Sequence, residues 1–233
     1  MSNGFFSWER FETVFPLVLA KLPVTIEIVV MATLIGLLLG VVLAMIRIKK
    51  VPVFNQIAFL MISFFRGTPS IVQMFIVYYG TPMLFRAFFG VDLSTVNKLF
   101  FVFITFGLNQ AGYMAEQLRA AILSVPAGQA EAAYSVGLTG WQTFSRIVFP
   151  QALKVAVPGL ETMFVTLFQD TALAYMIGVA DMMGKVKLLA ATTHHSIEGY
   201  TVVAIVFVAI SLILEVVFTF VNRRMAYERR PQA

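Results

Sequence analysis

The chain has 233 residues, of which 59% are hydrophobic and 12% are charged, and it carries a formal net charge of +5. Soluble domains carry about 25% charged residues, so this composition excludes an ordinary soluble domain and is typical of a membrane protein. The absence of cysteine excludes disulfides, thiol catalysis and cysteine metal sites. The basic residues cluster at the ends of apolar runs, a pattern of membrane topology and not of nucleic-acid binding.

The first 24 residues mix aromatic and charged side chains, including Phe5, Trp8, Glu9 and Arg10. This mixture predicts an interfacial segment with its aromatic rings at the level of the lipid headgroups. A basic start, a short apolar core and a small-residue cleavage site do not follow one another there, so we expect no cleaved signal peptide.

The first membrane span is predicted at residues 25–46, because residues 28–46 contain no charge and, at about 1.5 Å per residue, cross most of a hydrocarbon core of about 30 Å. A second apolar stretch, residues 51–85, is too long for one straight span and is interrupted at positions 66–69 by Arg-Gly-Thr-Pro. We expect a break there, which membranes tolerate where neighbouring protein satisfies the freed backbone groups. Residues 81–98 are predicted to form a short external loop.

Three more spans complete the predicted membrane domain, which covers residues 25–222 and is followed by a basic tail at residues 223–233. These spans are residues 99–118, 151–176 and 200–221, with a connector at residues 178–199. The sequence therefore predicts an all-α bundle of about five transmembrane helices.

Residues 124–150 form a polar loop between two hydrophobic runs. Residues 127–136 are predicted to be helical, and Gly137 is predicted to end that helix in the left-handed conformation. Thr139 is predicted to cap a second short helix, which Pro150 closes. The polar loop is therefore expected to be a rigid helix-turn-helix that projects from the membrane towards a partner.

The polar loop carries the pattern Glu131-Ala132-Ala133, three residues, Gly137, nine residues, Ile147-x-Phe149-Pro150. This pattern resembles the EAA motif of the membrane subunits of ATP-binding-cassette importers, in which the last apolar position, here Phe149, is usually Leu. The resemblance implies a coupling helix that docks into a cleft on a cytoplasmic ATPase subunit. The coupling residues that it implies are Glu131, Ala132, Ala133, Gly137 and Arg146. The alternative is an ordinary amphipathic connector between two spans.

Three further patterns resemble the polar-amino-acid branch of the same importer family. They are Arg66-Gly67-Thr68-Pro69, the spacing Asn109-x3-Tyr113-x2-Glu116-x2-Arg119, and the run Gln169-Asp170-Thr171-Ala172-Leu173. The last run departs from the Lys-Asp-Thr-Ser-Leu of that branch at Gln169 and at Ala172. The resemblance implies a permease subunit for the uptake of polar amino acids.

The same resemblance implies an assembly in the lipid of the bacterial inner membrane. Two permease subunits, either two copies of this chain or this chain and a paralogue, form the pathway, and an extracytoplasmic amino-acid-binding protein delivers the substrate. ATP and magnesium are bound by separate ATPase chains. We therefore expect no cofactor, metal site or catalytic residue in this chain.

Basic residues are divided unequally between the two sides of a five-span bundle. One side collects ten, which are Arg47, Lys49, Lys50, Arg119, Arg146, Lys154, Arg223, Arg224, Arg229 and Arg230. The other side collects six, which are Arg10, Lys21, Arg86, Lys98, Lys185 and Lys187. Because basic residues favour the cytoplasmic side, the N-terminus is predicted outside the cell, and the C-terminus and the polar loop inside it.

Charged residues within apolar spans each cost about 2.5–3.5 kcal/mol near a helix centre, so each is expected to face protein or water. Glu161 follows Pro158-Gly159, which can loosen the helix as in transporter sites built on broken helices. Either Glu161 meets the cation of a passing amino acid, or it forms an inter-helix ion pair, for example with Arg66. The predicted substrate pathway comprises Arg66, Glu161, Thr162, Thr166, Gln169 and Asp170.

Two other functions stay open on the residues alone. An intramembrane enzyme would use Glu161, Asp170 or the pair His194-His195 for hydrolysis. A free-standing secondary carrier is disfavoured by a count of only five spans and by the lack of a visible inverted repeat. An acidic pathway favours cationic or zwitterionic substrates without identifying the amino acid.

Overall fold

A computed structural model describes residues 6–227, whose regular secondary structure is entirely helical. The α-helices are α1 (Trp8–Leu19), α2 (Leu22–Lys49), α3 (Phe54–Gly67), α4 (Ser70–Phe75), α5 (Thr81–Phe89), α6 (Lys98–Leu123), α7 (Ala127–Ser135), α8 (Gly140–Thr143), α9 (Phe149–Asp170), α10 (Met182–Thr193) and α11 (Ile197–Tyr227). Wider π-helical segments join α4 to α5 (Ile76–Gly80) and α8 to α9 (Phe144–Val148), and a 3-10 segment, Thr171–Ile177, extends α9. The predicted all-α fold is confirmed.

The apolar helices are long enough to cross a membrane. Within residues 6–227, three helical stretches are long and apolar enough to span a membrane, namely Trp8–Lys49, Ser70–Phe89 and Ile197–Arg224. The bent pair Gly140–Ile177 and Met182–Thr193 brings the number to four if it is counted as one span. Helix α6 is not among them, because its second half carries polar residues such as Asn109 and Gln110, which are buried by neighbouring helices. The predicted third span is therefore the protein-covered centre of the bundle.

Helices α2 and α6 pack closely because small residues line both sides of their contact. A Cβ atom added at Gly36 would lie 2.7 Å from Cβ of Gln110, and one added at Gly40 would lie 2.9 Å from Cβ of Met114. On α6, a Cβ atom at Gly107 would lie 2.5 Å from Cγ2 of Ile35. Small residues at such crossings let helix backbones approach in a membrane, where hydrophobic driving force between helices is missing.

The predicted break in the second apolar stretch is confirmed. Helix α3 ends at Gly67, and Pro69 is extended before α4 begins. The buried amide of Gln73 donates from Nε2 to the carbonyl oxygens of Phe65 and Thr68, each at 2.9 Å. Asn109 of α6 donates from Nδ2 to the oxygens of Phe65 (3.2 Å) and of the Gln73 side chain (3.1 Å). These amides satisfy the carbonyl groups that the break frees.

Two predicted connections are more helical than expected. The prediction of an external loop over residues 81–98 is wrong in its first half, because α5 continues to Phe89 and ends at Gly90, whose φ is 68°. The connector at residues 178–199 contains α10, whose start is capped by Asp181 through a 2.8 Å hydrogen bond from the Gly184 amide. Helix α1 packs with α10 and α11 around Val18 and Val186.

Pro150 does not close a helix, contrary to the prediction. It lies in the first turn of α9, and the π-helical turn before it leads into α9 without interruption. The backbone N–H of Phe149 donates to the carbonyl oxygen of Phe144, five residues earlier. The side chain of Gln151 donates from Nε2 to the carbonyl oxygen of Ile147 at 2.8 Å. The wider turn thus accommodates a residue that has no N–H. One continuous helical stretch runs from the polar loop through Ile177, roughly 57 Å at 1.5 Å per residue.

The α2–α6 contact generates a stability prediction. Gly40→Leu should destabilise the folded chain by about 1–3 kcal/mol or more, because the added side chain would displace α6 at Met114. Gly128→Leu is the matched control, since a Cβ atom at Gly128 meets nothing within 4 Å. Thermal unfolding in detergent measures both, and equal midpoints for the two variants would contradict the packing described.

Candidate functional site

A cleft of about 470 Å³ lies between α6 and α9, beside the break between α3 and α4. We call it the central cleft, and it is lined by Arg66, Ser70, Asn109, Gln110, Tyr113, Glu116, Gln117, Ala120, Gly159, Thr162, Met163, Thr166 and Asp170. It brings together four of the predicted pathway residues, which are Arg66, Thr162, Thr166 and Asp170. Its volume is that of an ordinary small-molecule site.

The central cleft is polar at the helix break. Ser70 Oγ donates to Oδ2 of Asp170 at 2.8 Å, which joins the first turn of α4 to the end of α9. The guanidinium carbon of Arg66 lies 5.7 Å from the ring centroid of Tyr113, within the range of a cation–π contact. The cleft therefore holds a cation and a carboxylate on opposing helices.

Further along α6, the side chain of Gln117 packs against α9 next to Pro158 and Gly159. Gln117 donates from Nε2 to the oxygen of Ala156 at 3.3 Å, and a Cβ atom at Gly159 would collide with the Gln117 amide. Pro158 does not break the helix, as α9 runs through it from Phe149 to Asp170. On either side of Gln117 along α6, Glu116 and Arg119 form an ion pair.

The remaining predicted pathway residues face a different neighbour. Between α9 and α11 lies a second cleft of about 390 Å³, the lateral cleft. It is lined by Glu161, Thr162, Val165, Thr166, Gln169, Phe207, Val208, Ser211, Leu212 and Glu215. The alternative of an ion pair between Glu161 and Arg66 does not match the structure, because the two residues line different clefts and the Glu161 carboxylate accepts from Asn222 Nδ2 at 3.2 Å.

Helical rotation explains this division. Successive residues of an α-helix are turned by about 100°, so Glu161 and Asp170 lie on opposite sides of α9. Thr162 and Thr166 lie between them and border both clefts. Both threonines are exposed in the single chain. The predicted pathway residues other than Arg66 thus form one polar stripe around half of α9.

The polar loop adopts the predicted helix-turn-helix. Helix α7 is followed by Gly137 with a φ of 83°, the left-handed conformation that glycine favours. Thr139 Oγ1 accepts from the Gln142 amide at 3.3 Å, and the Gln142 side chain accepts from the Thr139 amide at 2.9 Å. This reciprocal capping box fixes the start of α8.

Four of the predicted coupling residues lie on the surface of the polar loop. Glu131, Ala132, Gly137 and Arg146 are exposed, whereas Ala133 is buried and packs inside the loop. Sequence reasoning missed three large apolar side chains that are exposed nearby, Tyr134 (55%), Val136 (75%) and Trp141 (75%). Their signal was present, since large apolar residues are unusual in a polar connector. Exposed aromatic residues of this kind are common at protein interfaces.

Polar clefts set among long apolar helices suit a multi-pass membrane protein that handles a polar solute. Residues 36–227 match the family model described as "Binding-protein-dependent transport system inner membrane component". The chain belongs to this family, as the EAA-like pattern of the polar loop indicated. It is therefore a transport component of the inner membrane, and this family explains the chain better than an enzyme or a free-standing carrier.

Similar proteins cover nearly all of the chain. The L-cystine transport system permease protein TcyL of Bacillus subtilis is 43% identical over 90% of this chain and 87% of its own length. A probable amino-acid ABC transporter permease protein, PatM of Vibrio harveyi, is 39% identical over 85% of this chain and 87% of its own.

Solved structures share the fold. The crystal structure of an amino acid ABC transporter with histidines superposes with a TM-score of 0.81 at 26% identity, over 96% of this chain and 100% of that one. The inward-facing MetNI methionine ABC transporter has a TM-score of 0.65 at 20% identity, over 94% of this chain and 99% of that one, which shows the fold alone.

Proposed function

We propose that this chain is the permease subunit of an ATP-driven importer of polar amino acids. The observation that carries the proposal is the polar stripe on α9, set in a fold whose similar proteins include permeases described for L-cystine and, as probable, for amino acids. An α-amino acid is common to both descriptions. The central cleft fits such a substrate, because Arg66 can meet the α-carboxylate and Asp170 the α-ammonium.

A second permease subunit completes the pathway in this proposal. Thr162, Thr166 and Gln169 are exposed on α9 in the single chain. Exposed polar side chains within a membrane bundle face protein or a water-filled cavity, and not lipid. Another copy of this chain, or a paralogue, would cover this stripe and leave water between the two subunits. An extracytoplasmic amino-acid-binding protein would deliver the substrate to that space.

The polar loop is proposed to dock on a cytoplasmic ATPase chain, which binds the ATP and magnesium. Glu131, Ala132, Gly137 and Arg146 would contact the ATPase, together with the exposed ring of Trp141. Helices α6 and α9 flank both the loop and the central cleft, and the Gln117 amide joins them. Because the helix continues from α8 into α9, a displacement of the loop moves the cleft wall as one body. ATP-driven closure of two ATPases would thus switch the access of the cleft.

The orientation follows from the basic residues. We place the N-terminus outside and the C-terminus in the cytoplasm, because the cytoplasmic side then carries the basic excess. Of the predicted basic tail at residues 223–233, the first residues continue α11 to Tyr227, whereas residues 228–233 lie outside the described residues and their placement rests on sequence alone.

Coupling is tested at Gly137. Gly137→Leu should leave the complex assembled, with basal ATPase activity, but should abolish most substrate-stimulated ATP hydrolysis and uptake, because the added bulk separates the loop from the ATPase. Gly137→Ala shares the cost of the left-handed backbone with little added volume, so it should retain more coupling. Purified complex in liposomes measures both activities. Equal coupling in the leucine variant and the parent would contradict the docking proposal.

The pathway is tested at Thr166. Thr166→Trp should lower uptake at least tenfold, because the indole would fill the space where the central and lateral clefts meet. Leu153→Trp, on the same helix but outside both clefts, is the control and should transport normally. Assembly is followed by size-exclusion chromatography. Full uptake by the Thr166 variant would remove this stripe from the pathway.

A further inference from the structure

The turn that joins α2 to α3 has a strained backbone. Val53 has a φ of 65° and a ψ of −56°, close to the values of roughly 75° and −65° that define the rare, strained form of the γ-turn. The amide of Phe54 closes this turn by donating to the carbonyl oxygen of Pro52 at 2.7 Å. A β-branched residue at a positive φ is an outlier, and such strain is characteristic of functional segments that the surrounding structure holds in place.

A side chain of α2 holds this turn in place. Arg47 donates from Nη1 to Oδ1 of Asn55 at 2.9 Å, and its guanidinium carbon lies 5.1 Å from the ring centroid of Phe59. Lys50 ends α2 in the left-handed conformation, with a φ of 48°. The guanidinium of Arg47 is thus engaged within the protein, whereas Lys49 and Lys50 are exposed.

Apolar side chains are exposed beside the two lysines. Val53 is 68% exposed and Phe54 is 59% exposed. The sequence contains no aspartate or glutamate between Glu27 and Asp92, so the lysines have no acidic neighbour along either helix of the turn. The turn is therefore a cationic surface with an apolar tip.

The depth of the turn follows from the contact between α2 and α6. These helices run in the same direction, since Gly36 lies against Gln110 and Gly40 lies against Met114. The same offset brings Lys49 to the level of the last residue of α6, where the polar loop begins. The turn thus lies at the base of the polar loop, where the bundle reaches the membrane surface.

We propose that Lys49 and Lys50 bind the headgroup phosphate of an acidic phospholipid, and that Val53 and Phe54 contact its acyl chains. An ammonium donates strong hydrogen bonds to phosphate, and basic clusters at the end of a span attract acidic lipids. The orientation proposed above makes this leaflet the cytoplasmic one.

A lipid fits the turn better than the ATPase chain does. The surface of α3 that follows the turn is apolar and exposed, with Ile57 at 48% and Leu60 at 67%, which suits acyl chains. The polar loop, in contrast, extends beyond the level of the turn. A lipid bound here would hold the beginning of α3, whose other end carries Arg66 into the central cleft.

The test uses the full chain in phosphatidylcholine liposomes, with a fluorophore attached at Gln56→Cys. Position 56 is exposed in the first turn of α3, and the added cysteine is the sole thiol of the chain. Phosphatidylglycerol or phosphatidylcholine with brominated acyl chains serves as the quencher. We expect half-maximal quenching at an about tenfold lower fraction of the acidic lipid, which corresponds to about 1.4 kcal/mol. About 1 M salt should remove this preference, because it screens charges beyond about 3 Å.

Lys49→Gln combined with Lys50→Gln should abolish the preference for the acidic lipid. The matched control is Arg223→Gln combined with Arg224→Gln, which removes the same charge from exposed positions near the end of α11 and should keep the preference. Free glycerol phosphate should not reverse the quenching, because it has no acyl chains to contact Val53 and Phe54.

Four results would overturn the inference. They are equal quenching of the parent by both lipids, loss of the preference in the arginine control, reversal by glycerol phosphate, and a lysine variant that keeps the lipid preference but no longer retains the ATPase chain in size-exclusion chromatography. The last result would assign the lysines to the ATPase. Both leaflets of the liposomes hold the same lipids and no transport is measured, so the outcome is independent of the proposed orientation and import function.

Discussion

The buried amide of Gln73 is the interaction on which the rest of the bundle depends. The break after α3 leaves carbonyl groups without helical partners, and each such group would cost several kcal/mol if it faced hydrocarbon unpaired. Gln73 and Asn109 satisfy them from two helices and bind one another. Helix α4 is thereby fixed against α6, and Ser70 at its start is held within reach of Asp170.

The same break positions the chemistry of the central cleft. Because α3 and α4 are offset, Arg66 leaves the first helix at the point where the second one presents Ser70, and both line the cleft against α9. The second half of α9 carries the polar stripe, and its N-terminal end is continuous with the polar loop. A satisfied helix break, a polar wall and a projecting loop are thus parts of one rigid framework, which suits the transfer of motion from a partner to a pathway.

Local features of the sequence predicted the parts of the structure that depend on local chemistry. Gly137, the Thr139 cap and the break before Pro69 follow from backbone conformation and from side chains within a few positions. The continuous helix through Pro150 was not predictable, because it depends on the π-helical turn Phe144–Val148, which no residue type in that segment indicates. Nor was the division of the pathway, because a rotation of about 100° per residue separates Glu161 from Asp170 only when the neighbours of α9 are known.

The most direct test of the account is the location and partner of the polar loop. The chain has no cysteine, so Val136→Cys, exposed at the turn, and Val91→Cys, exposed after α5, are each the sole target of a thiol reagent. We predict that an impermeant reagent labels position 91 but not 136 in intact cells, and that a short bifunctional reagent in inverted vesicles joins position 136 to the ATPase chain. Labelling of position 136 from outside, or the absence of that cross-link, would contradict it.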